Sequence, residues 1–192
     1  MVCEMDVVTG DRIEEAGDAE LMRCVQRGER SAFEILIRRH QQGLMNFFRR
    51  LGAYNEAEDL VQNTFVRLFH YRLKYRETAK FTTFLYTLAR HTWIDGFRKR
   101  KRRDQLTEAW RQEAEAADHA SAQRPRSRLD AEAALARLPE KLRGVVVLGI
   151  CQGMPYEEVA EILDIPVGTV KSRIFAALQR LKEFFDEDQA VG

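Results

Sequence analysis

The chain is poor in the residues that staple, bend or ligate. Its three cysteines, Cys3, Cys24 and Cys151, are odd in number and far apart, and no CxxC pair occurs in the 192 residues. A disulfide framework and a cysteine zinc site are therefore excluded, and a reducing, cytoplasmic setting is expected. The histidines His40, His70, His91 and His119 are scattered without an i+4 partner, so neither a metal site nor a cofactor is expected. With 4 prolines and 11 glycines, collagen and low-complexity scaffolds are excluded as well. No run approaches the roughly 18 apolar residues of a membrane span. Residues 1–11 carry Glu4, Asp6 and Asp11 but no basic residue, unlike a secretory leader, and no membrane insertion is expected.

What is present is helix-forming and charged. Hydrophobic residues make up 45% and charged residues 32%, a balance that suits folded helices facing water. The formal net charge is +1, from 31 Lys and Arg against 30 Asp and Glu, which as a sum argues against a polyanionic partner. Placement argues otherwise. Residues 1–30 hold eight acidic and four basic residues, whereas Arg98 to Arg103 are six successive cations.

Hydrophobic periodicity predicts an all-α chain of two small helical domains joined by a flexible linker. Residues 1–17 read as a ragged lead-in. The first domain is expected over 18–103. Leu21, Val25, Phe33, Leu36 and Ile37 recur there at helical spacing, divided at Gly28, and Ser31 with Glu34 offers a capping box for the second helix. That helix runs on through Leu44, Phe47 and Phe48 to Leu51 and Gly52. A third, over 55–71, carries the stripe Ala57, Leu60, Val61, Thr64, Phe65 and Leu68. The polar segment 72–80 (RLKYRETAK) breaks the period, and a fourth helix is expected from Thr82 to Arg103.

Composition shifts at Asp104. Residues 104–128 have only Leu106 and Trp110 as large apolar side chains, too few for a core, and are expected to be a linker, flexible or transiently helical, with Trp110 able to dock weakly. The second domain, 129–186, is predicted to end in a helix-turn-helix. Pro139 suits the first turn of a helix over 139–151 that Gly153 ends. A short helix at 156–163, a turn at Asp164-Ile165-Pro166 and a last helix from 167 to about 184 follow, the last burying Val170, Ile174, Leu178 and Leu181.

Two constellations stand out. In a helix-turn-helix the first helix braces the second, which enters the major groove. Thr169, Lys171, Ser172 and Arg173 open the second helix here, and their side chains suit phosphates and base edges. A packed helical hairpin with a solvated basic face has the same pattern. In the N-terminal block, Phe84, Tyr86, Trp93 and Phe97 lie on the helix that ends in the basic run. Cations attract phosphate and rings stack on unpaired bases, while segment 72–80 could form a loop around an extruded base. Taken singly, such charges are a solvated face and such rings are core. The 55–71 helix, polar around its stripe, suits a protein partner more than DNA. Glu157 and Glu158 are adjacent and share no helix face, so they read as solvent-facing groups and not as a catalytic pair. No enzymatic activity is expected.

The ordered set of motifs resembles a bacterial RNA polymerase sigma factor of the extracytoplasmic-function type (sigma-70 family, group 4). The likeness is carried by Ala57-Glu58-Asp59-Leu60-Val61-Gln62-Asn63-Thr64-Phe65, by Phe84-Leu85-Tyr86-Thr87-Leu88-Ala89-Arg90, and by residues 153–160 (GMPYEEVA) with 168–173 (GTVKSR). The resemblance implies a factor that binds core polymerase and directs promoter-specific initiation, with a first domain that melts the −10 element and a second that recognises the −35 element. It places Asp59, Gln62, Asn63, Phe65 and Arg67 against the clamp helices of the polymerase's largest subunit, and the C-terminal domain on the flap. Tyr75, Arg76, Lys80, Phe84, Tyr86, Arg90 and Trp93 would meet the −10 bases, with Arg98, Arg100 and Arg103 on the adjacent duplex. Thr169, Lys171, Ser172 and Arg173 would read the −35 element, and the linker would run near the RNA exit path. Many members are held by an anti-sigma factor until a stimulus releases them. Two positions depart from the family pattern: Asn63 stands where an acid is usual, and His91 where asparagine is usual. A stand-alone regulator with the same C-terminal layout is the competing reading, though the N-terminal block lacks the strand–helix alternation of a response regulator.

Overall fold

The computed structural model describes residues 10–77, 79–111 and 128–190, and among them every regular element is helical. In chain order these are α1 Gly10–Glu15, α2 Asp18–Gln26, α3 Arg30–Arg50, α4 Ala57–Tyr71, α5 Phe81–Arg111, α6 Arg128–Arg137, α7 Glu140–Val146, α8 Tyr156–Leu163 and α9 Val167–Ala190. A 3-10 turn at Arg72–Lys74 follows α4, and a wide π turn at Val147–Cys151 continues α7. The first five helices form one cluster and the last four another.

The apolar stripes account for the packing. Helix α3 buries Ile35, Leu36, Leu44, Phe47 and Phe48; α4 buries the stripe read from the sequence; α5 adds Leu85, Leu88, Ala89 and Trp93. Each large buried side chain contributes about 1.5–3 kcal/mol, more than the exposed ion pairs around it can supply. In the second cluster Val145, Val146, Val147 and Leu148 meet Val159 and Ile162 of α8 and Val170, Ile174 and Ala177 of α9. The two apolar interiors are continuous, because α5 packs on α8 and α3 on the π turn.

Several local expectations are corrected. Part of the supposed lead-in is helix α1, held by buried Ile13, by Arg38 on Glu14 at 2.8 Å and by Arg39 donating to the Ala16 carbonyl at 2.8 Å. The Ser31–Glu34 capping box does not form. Helix α3 starts at Arg30, and the Glu29 N-cap makes no side-chain cap bond. Gly28, at φ +95, lets the Glu29 N–H reach the Cys24 carbonyl at 3.0 Å, so the backbone closes this turn and Ser31 falls within the helix. Helix α5 passes through Asp104 to Arg111, because Gln, Leu, Glu, Ala and Arg there are good helix formers. Residues 112–127 and the side chains of Leu106 and Trp110 lie outside the described residues.

The buried stripe of α9 is Val170, Ile174 and Ala177 with Leu181 half-buried, whereas Leu178 is 48% exposed. At 100° per residue, position 177 lies about 20° from 170 and position 178 about 80° away. The cytoplasmic placement drawn from cysteine usage is also corrected, to a narrower statement. Among the described residues no helix is long and apolar enough to cross a membrane, and this does not locate the chain.

Candidate nucleic-acid interface

The C-terminal surface is formed by a helix start. Asp164, in the left-handed region at φ +53, and Pro166 turn the chain from α8 into α9. The Thr169 N–H donates to the Pro166 carbonyl at 2.8 Å and the Ser172 hydroxyl to the Thr169 carbonyl at 3.1 Å, which fixes the first turn. Lys171 and Ser172 are exposed, while Thr169 and Arg173 are half-buried. The first-turn amides of α9 add a partial positive charge to the same end.

The N-terminal surface is a loop and a helix face. Tyr75 is buried, with its ring 5.5 Å from Phe84 and 6.1 Å from Phe81, so it anchors the loop. Arg76 and Lys80 are exposed beside it. Tyr86 is only 5% exposed and meets Phe47 edge-on at 5.2 Å. Burial pushes its hydroxyl up to about 12, which keeps it a proton donor. Trp93 is buried beside Phe97 at 6.3 Å. Arg98 is exposed; Arg100 and Arg103 continue α5, with side chains outside the described residues.

A set of contacts joins the N-terminal surface to the second cluster through α7, the π turn and α8. Lys80 Nζ lies 2.5 Å from Glu158 Oε1, and the Thr83 hydroxyl donates to Glu158 Oε2 at 3.2 Å. The Tyr86 hydroxyl donates to Gln152 Oε1 at 3.0 Å, and Gln152 Nε2 donates to the Gly43 carbonyl at 3.3 Å. Arg143 reaches the Leu51 carbonyl at 3.1 Å. Beside them lies a cavity of about 250 Å³ whose lining includes Trp93, Arg90 and Arg173. Glu158 thus corrects the expectation of two solvent-facing carboxylates: Glu157 is exposed, but the Glu158 side chain is 15% exposed and faces the other cluster. Gln152 and Gly43 carried no signal in the sequence, because their partners lie more than sixty residues away.

On α4, Asp59, Gln62 and Asn63 share an exposed face with Val66 and Phe69, two apolar residues outside the buried stripe. Phe65 does not join that face. It is buried against Phe33, edge-on at 6.4 Å. Arg67 is bound to Asp95 and ties α4 to α5. On α9, Phe175, Leu178 and Phe185 form a second exposed apolar ridge. Among the described residues no group of three or more His, Cys, Asp or Glu could hold a metal.

Comparison with known proteins agrees with this layout. The model of sigma-70 region 2 matches residues 36–103 and that of sigma-70 region 4 matches residues 128–181. The chain is 32% identical over 176 residues to an RNA polymerase sigma-H factor of Pseudomonas aeruginosa, covering 85% of this chain and 91% of that one. It is 30% identical over 180 residues to an ECF RNA polymerase sigma-E factor of Haemophilus influenzae, covering 88% and 95%. Among solved structures, it resembles the sigma factor RpoE in complex with the anti-sigma factor NepR from Bartonella quintana, with a TM-score of 0.68, 26% identity and coverage of 80% and 96%. It also resembles CnrH in complex with the cytosolic domain of CnrY, with a TM-score of 0.64, 26% identity and coverage of 94% and 99%. Two region matches in order, and likeness over nearly the whole length of these relatives, make this chain a member of the extracytoplasmic-function group of the sigma-70 family, whose members are not enzymes.

Proposed function

We propose that this chain binds core RNA polymerase and directs it to promoters, using residues 18–103 for the −10 element and residues 129–186 for the −35 element. The observation that carries this reading is the pairing of a braced helix start bearing Lys171, Ser172 and Arg173 with an aromatic and cationic loop–helix surface in the same chain. Helix α9 enters the major groove and its first turn reads base edges, while phosphate contacts set its register. The loop from Tyr75 to Lys80 and the exposed part of α5 take a base out of the melted strand, which offsets unstacking costs of a few kcal/mol. Arg98, Arg100 and Arg103 hold the adjoining duplex.

The exposed face of α4, with Asp59, Gln62, Asn63, Val66 and Phe69, is assigned to the clamp helices of the largest subunit. The Phe175, Leu178 and Phe185 ridge of α9 is assigned to the flap. Phe65 and Arg67 act indirectly, by holding α4 in place. Because Lys80, Thr83 and Tyr86 are engaged by Glu158 and Gln152, promoter capture requires the two domains to separate, and docking on polymerase supplies the energy. An anti-sigma protein is the expected antagonist, since the similar sigma factor RpoE was solved in complex with the anti-sigma factor NepR. Reconstituted transcription with core polymerase tests the assignment: specific initiation from a cognate promoter is expected, and a chain that binds duplex DNA yet neither binds core nor starts transcripts would instead be a stand-alone regulator.

A further inference from the structure

Helix α2 lies upstream of residue 36, where the region 2 match begins, yet its side chains touch the Tyr75–Lys80 loop and the segments on both sides of it. At the start, the Gln26 side-chain amide donates both of its N–H groups, one to the Arg72 carbonyl at 2.9 Å and one to the Tyr75 carbonyl at 3.2 Å. In the middle, Arg23 pairs with Glu77 at 2.7 Å. At the end, Asp18 holds His40 at 2.7 Å, and the His40 ring lies 5.2 Å from that of Phe81. Between Asp18 and Ala19 on one side and Tyr75, Glu77, Lys80 and Phe81 on the other lies an open cleft of about 510 Å³.

Among the described residues the bonds within the loop are long, including that from the Tyr75 hydroxyl to the Ala79 carbonyl at 3.5 Å. The loop's backbone bonds, Tyr75 N–H to the Arg72 carbonyl and Ala79 N–H to the Arg76 carbonyl, are also long, at 3.3 and 3.4 Å. Its shape is therefore set from outside its own backbone, by the Tyr75 ring packed on Phe81 and Phe84 of α5 and by the side chains of α2. We propose that Gln26, supported by Arg23, is a positioning residue for base selection: it fixes the loop backbone so that the cleft presents one geometry to an extruded base. This rests on the assignment of the loop to −10 capture. Specificity is a difference between affinities, and it depends on donors and acceptors held in place. Phosphate contacts, assigned to Arg98 and the basic run that follows it, do not depend on that geometry. A loosened loop thus loses discrimination before it loses binding.

The test uses the full chain with core polymerase on forked templates that carry each of the four bases in turn at every unpaired −10 position. Gln26→Met keeps the length of the side chain and removes both donors, and Gln26→Glu sets a carboxylate against two carbonyl oxygens. Both are expected to lower the ratio between the best and worst base at the captured position by about tenfold, which is about 1.4 kcal/mol. Lifetimes on the worst base and the salt dependence should change less than about twofold. An equal loss on all four bases, as a merely structural role would give, overturns the inference, and so does an unchanged ratio.

Arg76→Ala and Lys80→Ala serve as the control on the underlying assignment. If they too leave every base preference intact, the loop is not the reader; if they shift the preference and Gln26→Met does not, only the bracing role fails. Thermal melting of the free variants checks folding. Should Gln26→Met fail to fold, Arg23→Ala, at a half-exposed site, carries the same test with an expected loss of about threefold in the ratio.

Discussion

The two surfaces proposed to meet DNA follow opposite plans. At the C-terminal surface, a turn fixed by Asp164 and Pro166 leaves Lys171 and Ser172 in solvent, ready for a groove. At the N-terminal surface, Tyr75, Tyr86 and Trp93 are buried, and Lys80 and Thr83 are already bound by a carboxylate from the other cluster. A helix start needs only one brace to be presented. A surface that must open a duplex and hold an unstacked base is built from rings and polar groups, and these have to be covered somewhere when no strand is present.

The contrast can be broken or sharpened by experiment. The largest effect is expected from Leu148→Ala, which empties a fully buried site on the π turn and should cost about 2–5 kcal/mol. Because the two interiors are continuous, a single unfolding transition at lower temperature is expected by calorimetry; two separate transitions, with the N-terminal one unmoved, would show that the clusters melt independently. Next in size is Lys171→Ala with Arg173→Ala, expected to reduce transcription from a cognate promoter at least about tenfold while core binding persists. Loss of core binding in a pull-down would reverse the assignment of roles.

Glu158→Gln with Gln152→Ala should raise the affinity of the free chain for a single-stranded −10 oligonucleotide about threefold, by freeing Lys80, Thr83 and Tyr86. The effect is kept small because Lys80 is largely exposed and its pair is screened. An unchanged affinity in fluorescence anisotropy would mean that the two domains already separate freely. The smallest effect concerns acid. The hydrogen bond from His40, helped by Arg39, holds the Asp18 carboxyl below its ordinary value of 3.8. Its stabilisation is therefore complete above about pH 4 and is lost as pH falls through the depressed value. Asp18→Asn should lower stability throughout the range above about pH 4 and leave it little changed at the acid end, which flattens that limb when denaturation is followed against pH.

Most of the helices were legible because α2, α3, α4, α8 and α9 each carry an apolar stripe that a linear pattern reveals. Boundaries failed where backbone or tertiary structure decides them. The α2–α3 turn is closed by main-chain bonds at Gly28 and not by Ser31, and the α9 stripe passes through Ala177, too small to draw notice beside Leu178. At the candidate sites, residue types were readable but orientation was not. Phe65 and Arg67 sit on the helix that the motif indicated, yet face the core and Asp95. Gln26, Gln152 and Glu158 gain their meaning only from partners far away in sequence, which no local pattern encodes.

Gly43 shows what the meeting of the two domains asks of a single position in a helix. It sits within α3, where alanine would favour the helix by about 0.8–1 kcal/mol. A Cβ there would stand 3.1 Å from the Tyr86 hydroxyl, beside the carbonyl that Gln152 reaches. A drift toward a sturdier α3 would therefore press on the groups that join the halves. Helix strength and closure of the two halves thus make opposite demands on this one position.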